Sequence, residues 1–219
     1  HLAQIPAQIR RIAEAHRKYR QAVPALAGRE LPVAMDEWNY WYGPYLYGEL
    51  GTRYFLKDAL GVAAGFNEYA RQSDVIFMAN YAQTVNVIGA IKTSKTAAVL
   101  DSTGQVLVMY RRHFGAIPVE ISGATEPLDV AVAWTKDKKA LTVSVINPTY
   151  ETYQLEFNVA GVRLAARGRA WVLTAPDDMA YNEPGKEPVV RFTETAVSGI
   201  KDRLKVAPVS ATVFEIPVK

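Results

Sequence analysis

Leu31-Pro-Val-Ala-Met-Asp-Glu-Trp-Asn-Tyr-Trp-Tyr42 is the stretch on which the reading of this chain turns. Its apolar part, Leu31 to Met35, is short and does not alternate, as expected for a strand buried on both faces of a parallel sheet. The acidic pair Asp36-Glu37 then falls at the strand's C-terminal end. Upstream, Ile5, Ile9, Ile12 and Ala13 recur at helical spacing from Leu2 to Ala22, with Arg, Lys, Gln and Glu on the other face and Pro24 as the stop. Downstream, a loop rich in Gly and Tyr covers Asn39 to Gly51. Thr52 can cap a second helix that runs to about Gln72, with Leu56, Ala59, Leu60, Ala63 and Phe66 along one side. Val75 to Ala79 reads as another buried strand. Thr103 to His113 reads as a third helix, ended by Gly115 and Pro118.

From there the pattern changes. Leu128–Trp134, Ala140–Ile146, Tyr153–Val159, Ala170–Thr174, Val189–Thr193 and Ser210–Ile216 are short β-rich runs. Turn signals such as Lys136 to Lys139 and Asn147-Pro148 separate them. Leu141, Val143 and Val145 alternate with Thr142, Ser144 and Ile146, which predicts one mainly apolar face. Such spacing indicates a β-sandwich. The expected fold class is α/β plus all-β, with a boundary near residue 116: residues 1–116 form one domain and 117–219 the other. Helix–strand–helix–strand–helix makes only two β/α units, too few to close an eight-stranded barrel. With no glycine-rich phosphate loop to favour an open doubly wound sheet, they read as the last units of a (β/α)8 TIM barrel whose earlier strands lie upstream.

Composition narrows the chemistry. The 219 residues are 49% hydrophobic and 21% charged, with net charge +3 and no cysteine. Disulfides, thiolate metal sites and cysteine nucleophiles are therefore excluded, and the count fits a reducing compartment, so a cytoplasmic location is expected. Basic residues are scattered, so no nucleic-acid partner is expected. No apolar run approaches the roughly 20 residues that span a bilayer, so no membrane is expected either. His1, His16 and His113 are dispersed, and no metal or cofactor is implied. The chain opens on His1, directly before a helix, and reads as truncated or processed.

A carboxylate at the C-terminal end of a barrel strand faces the mouth where barrel enzymes hold their sites. Six of the ten residues from Trp38 to Tyr47 are Trp or Tyr, and aromatic faces stack on the C–H surfaces of sugar rings. Polar groups beside such surfaces bind the hydroxyls, so the combination fits a sugar site. In a regular strand Asp36 and Glu37 face opposite ways, so one of them can look into the mouth, and spacing leaves open which. The bland alternative is a buried carboxylate ordering a loop, beside aromatics that seal a rim.

Asp36-Glu-Trp-Asn-Tyr-Trp-Tyr42 resembles the nucleophile motif of glycoside hydrolase family 51 α-L-arabinofuranosidases. The likeness continues through Lys57-Asp-Ala-Leu60 and Ala82-Gln-Thr-Val-Asn-Val-Ile88 to Met109-Tyr110 and Pro118-Val-Glu120. It covers residues 31–123 by motif, and the rest by architecture, since the family ends in a jelly-roll-like β-sandwich. The resemblance implies Glu37 as catalytic nucleophile, Trp41 lining the sugar site and Gln83 binding a sugar hydroxyl. It assigns Trp38 and Asn39 to the same substrate-binding group as supports. It further implies release of terminal α-L-arabinofuranosyl residues from arabinose-containing oligosaccharides or polysaccharides, and a homo-oligomer. The loop between the two motifs is shorter than the family's, and Leu100 to Gln105 departs from it where Ser102 and Gly104 stand. The family's acid/base motif, Gly-Asn-Glu on an earlier strand, is not in this sequence. Glu49, at the rim, and Glu68, on a solvated helix face, are poor substitutes, so an N-terminal barrel segment of the same enzyme is the expected partner and the isolated chain is expected to be inactive. Two other readings remain: another retaining barrel glycosidase acting on β-xylosides or β-glucans, and a non-catalytic carbohydrate-binding or structural module.

Overall fold

The computed structural model describes residues 1–41 and 51–219. Helix α1 (Gln4–Ala22) buries Ile5, Ile9 and Ala13, the face its periodicity marks. Strand β1 (Val33–Trp38) follows, then α2 (Leu56–Arg71) and β2 (Ile76–Tyr81). A hairpin, β3 (Ile91–Thr93) and β4 (Ala98–Leu100), precedes α3 (Ser102–His113). Asp101 caps α3, accepting from Ser102 N at 2.8 Å. Thr52 does not cap α2. That helix starts four residues later, where the Asp58 carboxylate accepts from Phe55 N at 2.7 Å, and Thr52 N instead donates to Val87 O. A carboxylate in the first helical turn is also favoured by the helix dipole.

β1 and β2 pair in parallel, as read from sequence, but they are not buried on both faces. Ala34, Asp36 and Glu37 are exposed, and Phe77 is 63% exposed. The pair stands as a two-stranded sheet among the described residues, and double-sided cover of a parallel strand comes only from a wider sheet with helices on its faces.

The second half is antiparallel. β5 (Ile117–Val119), β6 (Asp129–Trp134), β7 (Ala140–Asn147), β9 (Arg167–Thr174), β10 (Arg191–Ser198) and β12 (Ser210–Pro217) form a six-stranded sheet in the order β10-β9-β12-β7-β6-β5. The strand at the C-terminus thus lies in the middle, paired with both β7 and β9. β8 (Tyr153–Glu156) and β11 (Arg203–Val206) pair separately, and Leu204 and Val206 pack with Leu141, Val143 and Val145 on one face of the sheet.

The opposite face, which carries Thr142, Ser144 and Ile146, is buried as well. All eight residues of β7 are inaccessible. Ile146, Trp171, Leu173 and Val213 belong to the same apolar cluster as α2 and α3. The short hydroxyls on this face have internal partners. Thr142 Oγ1 donates to Ala133 O at 2.9 Å, and Ser144 Oγ lies 2.6 Å from Tyr110 Oη on α3. Hydrogen bonding of this kind removes most of the cost of burying them. Gly115 N closes the junction by donating to Thr142 Oγ1 at 2.8 Å. A methyl group on Gly115 would sit 2.5 Å from Trp134 O. Gly115→Ala is therefore expected to destabilise the fold by about 1–3 kcal/mol through overpacking. Thermal unfolding checks this, and an unchanged midpoint would contradict the packing just described.

Among the described residues, no helix is long and apolar enough to cross a membrane.

Candidate active site

The acidic pair sits at an irregularity in β1. Met35 pairs with Ala79 and Trp38 with Tyr81, so two residues on β1 oppose the single Asn80 on β2. An extra residue of this kind interrupts the strict alternation of side chains. The lining of the nearby cavity still separates the two, as expected of a pair of which one member looks into the mouth. Both are exposed. Glu37 lines a cavity of about 340 Å³ together with Met35, Trp38, Asn39, Trp41, Tyr69 and α1 residues Ile5, Gln8 and Ile9, and Asp36 is outside that lining. No salt bridge engages Glu37 among the described residues.

The two tryptophans play different parts. Trp41 is 66% exposed and lines the cavity. Trp38 is 7% exposed and packs edge-on against Phe66, Tyr69 and Tyr81 at centroid distances of 5.1–5.6 Å. Such contacts hold the backbone at Glu37 rather than offer a platform.

Asn39 uses its whole amide internally. Its Nδ2 donates to Tyr54 Oη at 2.7 Å and to Ala82 O and Ile88 O at 2.8 Å, while Oδ1 accepts from Tyr40 N at 2.7 Å. Gln83, next to Ala82, is exposed and lies outside the lining of the cavity. Its main chain is held twice, with Gln83 N donating to Ile88 O and Gln83 O accepting from Ala90 N. The structure therefore gathers Glu37, Trp38, Asn39 and Trp41 around one cavity and joins Gln83 to them through Asn39.

Two supports of the 82–101 segment carried no signal in the sequence. Tyr54 is fully buried and donates to Tyr40 O at 2.7 Å. Lys92, also buried, donates to Val87 O at 2.9 Å and stands 3.8 Å from Asp101. Burial pushes the Asp101 carboxyl up to about 7 despite Lys92, and burial draws the Lys92 ammonium down to about 8 despite Asp101. A lysine in a polar stretch reads as a solvated residue, and only the enclosing segments reverse that.

Neither expected substitute for a second carboxyl changes the picture. Glu49 and the tyrosines at positions 42, 45 and 47 lie outside the described residues. Glu68 is not solvated: it is 0% exposed and its two oxygens accept from Arg10, Arg71 and Gln72. It faces α1 and the six-stranded sheet. Among the described residues, no three His, Asp or Glu side chains cluster to hold a metal ion.

Residues 36–210 match the model of the α-L-arabinofuranosidase C-terminal domain. A probable α-L-arabinofuranosidase C of Aspergillus flavus is 29% identical over 184 residues, 74% of this chain and 36% of that protein. An intracellular exo-α-L-arabinofuranosidase of Bacteroides ovatus is 24% identical over 206 residues, 86% of this chain and 40% of that protein. Among solved structures, an α-L-arabinofuranosidase of Thermotoga maritima in complex with arabinose superposes with a TM-score of 0.84 at 22% identity, over 99% of this chain and 50% of that one. The chain spans between about a third and half of the length of these relatives.

Proposed function

This chain belongs to the α-L-arabinofuranosidase C-terminal domain family, and from that premise we propose that it supplies the nucleophile side of a retaining glycosidase. The enzyme would release terminal α-L-arabinofuranosyl residues from arabinose-containing oligosaccharides or polysaccharides. The observation that carries this reading is Glu37 at a strand end, lining a cavity beside an exposed Trp41.

In the proposed reaction the Glu37 carboxylate attacks the anomeric carbon while a second carboxyl group protonates the departing glycosidic oxygen. A covalent arabinosyl-enzyme results. The second group, now a carboxylate, takes a proton from water, which displaces Glu37 and regenerates it as a free carboxylate. The two carboxyls must stand about 5–5.5 Å apart. Trp41 would cover one face of the furanose and Gln83 would bind a hydroxyl, with Trp38 and Asn39 as supports. The second carboxyl is assigned to a segment of the same enzyme outside this chain.

The same reading gives the architecture. β1 and β2 would be the last two strands of a (β/α)8 barrel, wrapped by α1, α2 and α3. A groove of about 850 Å³ along β2, lined by Phe77, Met78 and Leu107, is where the rest of the barrel would pack. Residues 117–219 would be the jelly-roll-like β-sandwich, the division at 116 falling between α3 and β5. A homo-oligomer rests on the family resemblance. A cytoplasmic location is supported by the cysteine-free sequence and by the description of the Bacteroides ovatus relative as intracellular.

Two preparations test the assignment on aryl α-L-arabinofuranosides: residues 1–219 alone, and the complete enzyme. The complete enzyme is expected to turn over and the isolated chain to show no enzymatic rate above background. Hydrolysis by the isolated chain would overturn the assignment of the second carboxyl to another segment. A complete enzyme that hydrolyses β-xylosides or β-glucans and not arabinofuranosides would overturn the substrate.

A further inference from the structure

We propose that Asn39 is a positioning residue that sets Gln83 against the strand carrying Glu37. The inference rests on the glycosidase reading above for its consequence, and on hydrogen bonds alone for its geometry.

Four pieces of chain meet at this one side chain. Asn39 Oδ1 fixes the end of β1 by accepting from Tyr40 N, and Nδ2 reaches Tyr54 on the approach to α2. The same nitrogen reaches Ala82 O and Ile88 O, the two ends of the segment that contains Gln83. A primary amide has two N–H donors, and three acceptors lie within 2.8 Å of this nitrogen, so one hydrogen is shared. None is left for a sugar hydroxyl. Ala82 O belongs to the peptide unit directly before Gln83, so any shift at Asn39 passes to the Gln83 backbone through one bond. Ile88 O is also the acceptor for Gln83 N, which ties both sides of the turn to the same anchor. Glu37 stands two residues before Asn39, on a strand held by Trp38 packing. The β1–β2 pairing carries the chain as far as Tyr81 opposite Trp38, and Ala82 N donates to Trp38 O; beyond that point the Asn39 amide is the side-chain link between the Glu37 strand and the turn that carries the exposed Gln83.

Tyr54 completes the arrangement by accepting from Asn39 and donating to Tyr40 O. An Asp at position 39 would keep the acceptor for Tyr40 N. It would also turn a carboxylate oxygen toward two carbonyls, which repels them. Asn39→Asp and Asn39→Ala should therefore misplace the same segment although they differ in size and charge.

The test uses the complete enzyme with Asn39→Ala, Asn39→Asp, Gln83→Ala and the double variant Asn39→Ala/Gln83→Ala. On 4-nitrophenyl α-L-arabinofuranoside, Asn39→Ala is expected to raise KM about tenfold with kcat within about threefold, the pattern of lost binding that is equal in ground and transition states. Gln83→Ala should do the same, and the double variant should add no more than about twofold to either, since coupled residues are not additive. KM effects that multiply in the double variant, or an Asn39→Asp enzyme equal to wild type, would overturn the proposal. Hydrogen exchange supplies a readout without turnover. Amides of residues 82–91 should exchange about tenfold faster in Asn39→Ala while α2 and the six-stranded sheet stay protected. Unchanged exchange in 82–91, or an equal rise everywhere, would also overturn it. Glu37→Ala separates the two layers. If that variant keeps wild-type turnover the glycosidase reading fails, and the exchange measurement still decides whether Asn39 is the clamp.

Discussion

Replacing Glu37 by Ala in the complete enzyme is expected to lower kcat on aryl α-L-arabinofuranosides by about 10⁴-fold or more, the range seen when a covalent nucleophile is removed. The loss follows from the chemistry: without Glu37 no arabinosyl-enzyme forms, and the second carboxyl protonates a leaving group that nothing displaces. Asp36→Ala is expected to change kcat by less than about tenfold, because Asp36 is outside the cavity lining that includes Glu37. Azide sharpens the contrast. A small anion can occupy the space of the missing carboxylate and attack the anomeric carbon from the same side, giving the arabinosyl azide of inverted configuration. Recovery of that product in Glu37→Ala identifies the vacated face. A Glu37→Ala enzyme within tenfold of wild type, or a large loss in Asp36→Ala instead, would exchange or remove the assignment.

Glu68→Ala is expected to lower stability by about 1–3 kcal/mol, since it removes charge-assisted bonds to Arg10 and Arg71, both of which keep contact with solvent. In a chain of this size that corresponds to a fall in Tm of roughly 2–12 °C. Glu68 is the inner member of a chain of charges joining three layers. Arg10 of α1 donates to both its oxygens, at 3.2 and 2.9 Å. Arg71 of α2 donates to it at 2.9 Å and continues to Asp129 of β6 at 2.9 Å. Truncation leaves Arg71 half-compensated against the sheet.

The pH dependence of that contribution can be signed. Burial pushes the Glu68 carboxyl up, but the bonds from Arg10 and Gln72 and the charge of Arg71 outweigh it and hold the group below its ordinary value. A depressed carboxylate contributes its stabilisation in full above its unfolded pKa, about 4.3, and loses it as pH falls through the folded value. The Tm gap between wild type and Glu68→Gln should therefore be widest near pH 7 and close below about pH 4. A gap that stays constant from pH 7 to pH 3 would show that the charge contributes nothing and that only the shape matters.

Local pattern was enough for the three helices, β1, β2 and six of the later strands, and not for the short strands β3, β4, β5 and β11. The 3.6-residue spacing of Ile5, Ile9 and Ala13, the apolar runs before Asp36 and Asn80, and the regular short runs after residue 128 each mark an element from its own residues. The aromatic motif around Glu37 was legible for the same reason: its chemistry lies in consecutive positions. What could not be read locally was which faces meet. Thr142 and Ser144 look like the solvent side of a strand, yet Ala133 O and Tyr110 partner them inside the molecule. Glu68 looks like a solvated helix residue until Arg10 and Arg71 arrive from 58 and three positions away. The bulge at Asp36-Glu37 depends on the register against β2, and the amide of Asn39 on carbonyls 43 and 49 residues distant. The sequence by itself determined the longer elements and the residues that carry the proposed chemistry, because periodicity and motifs are short-range. Tertiary structure alone decided burial, charge state and which side chains act as supports, because these are set by groups brought across the fold, whose identity no single stretch of chain contains.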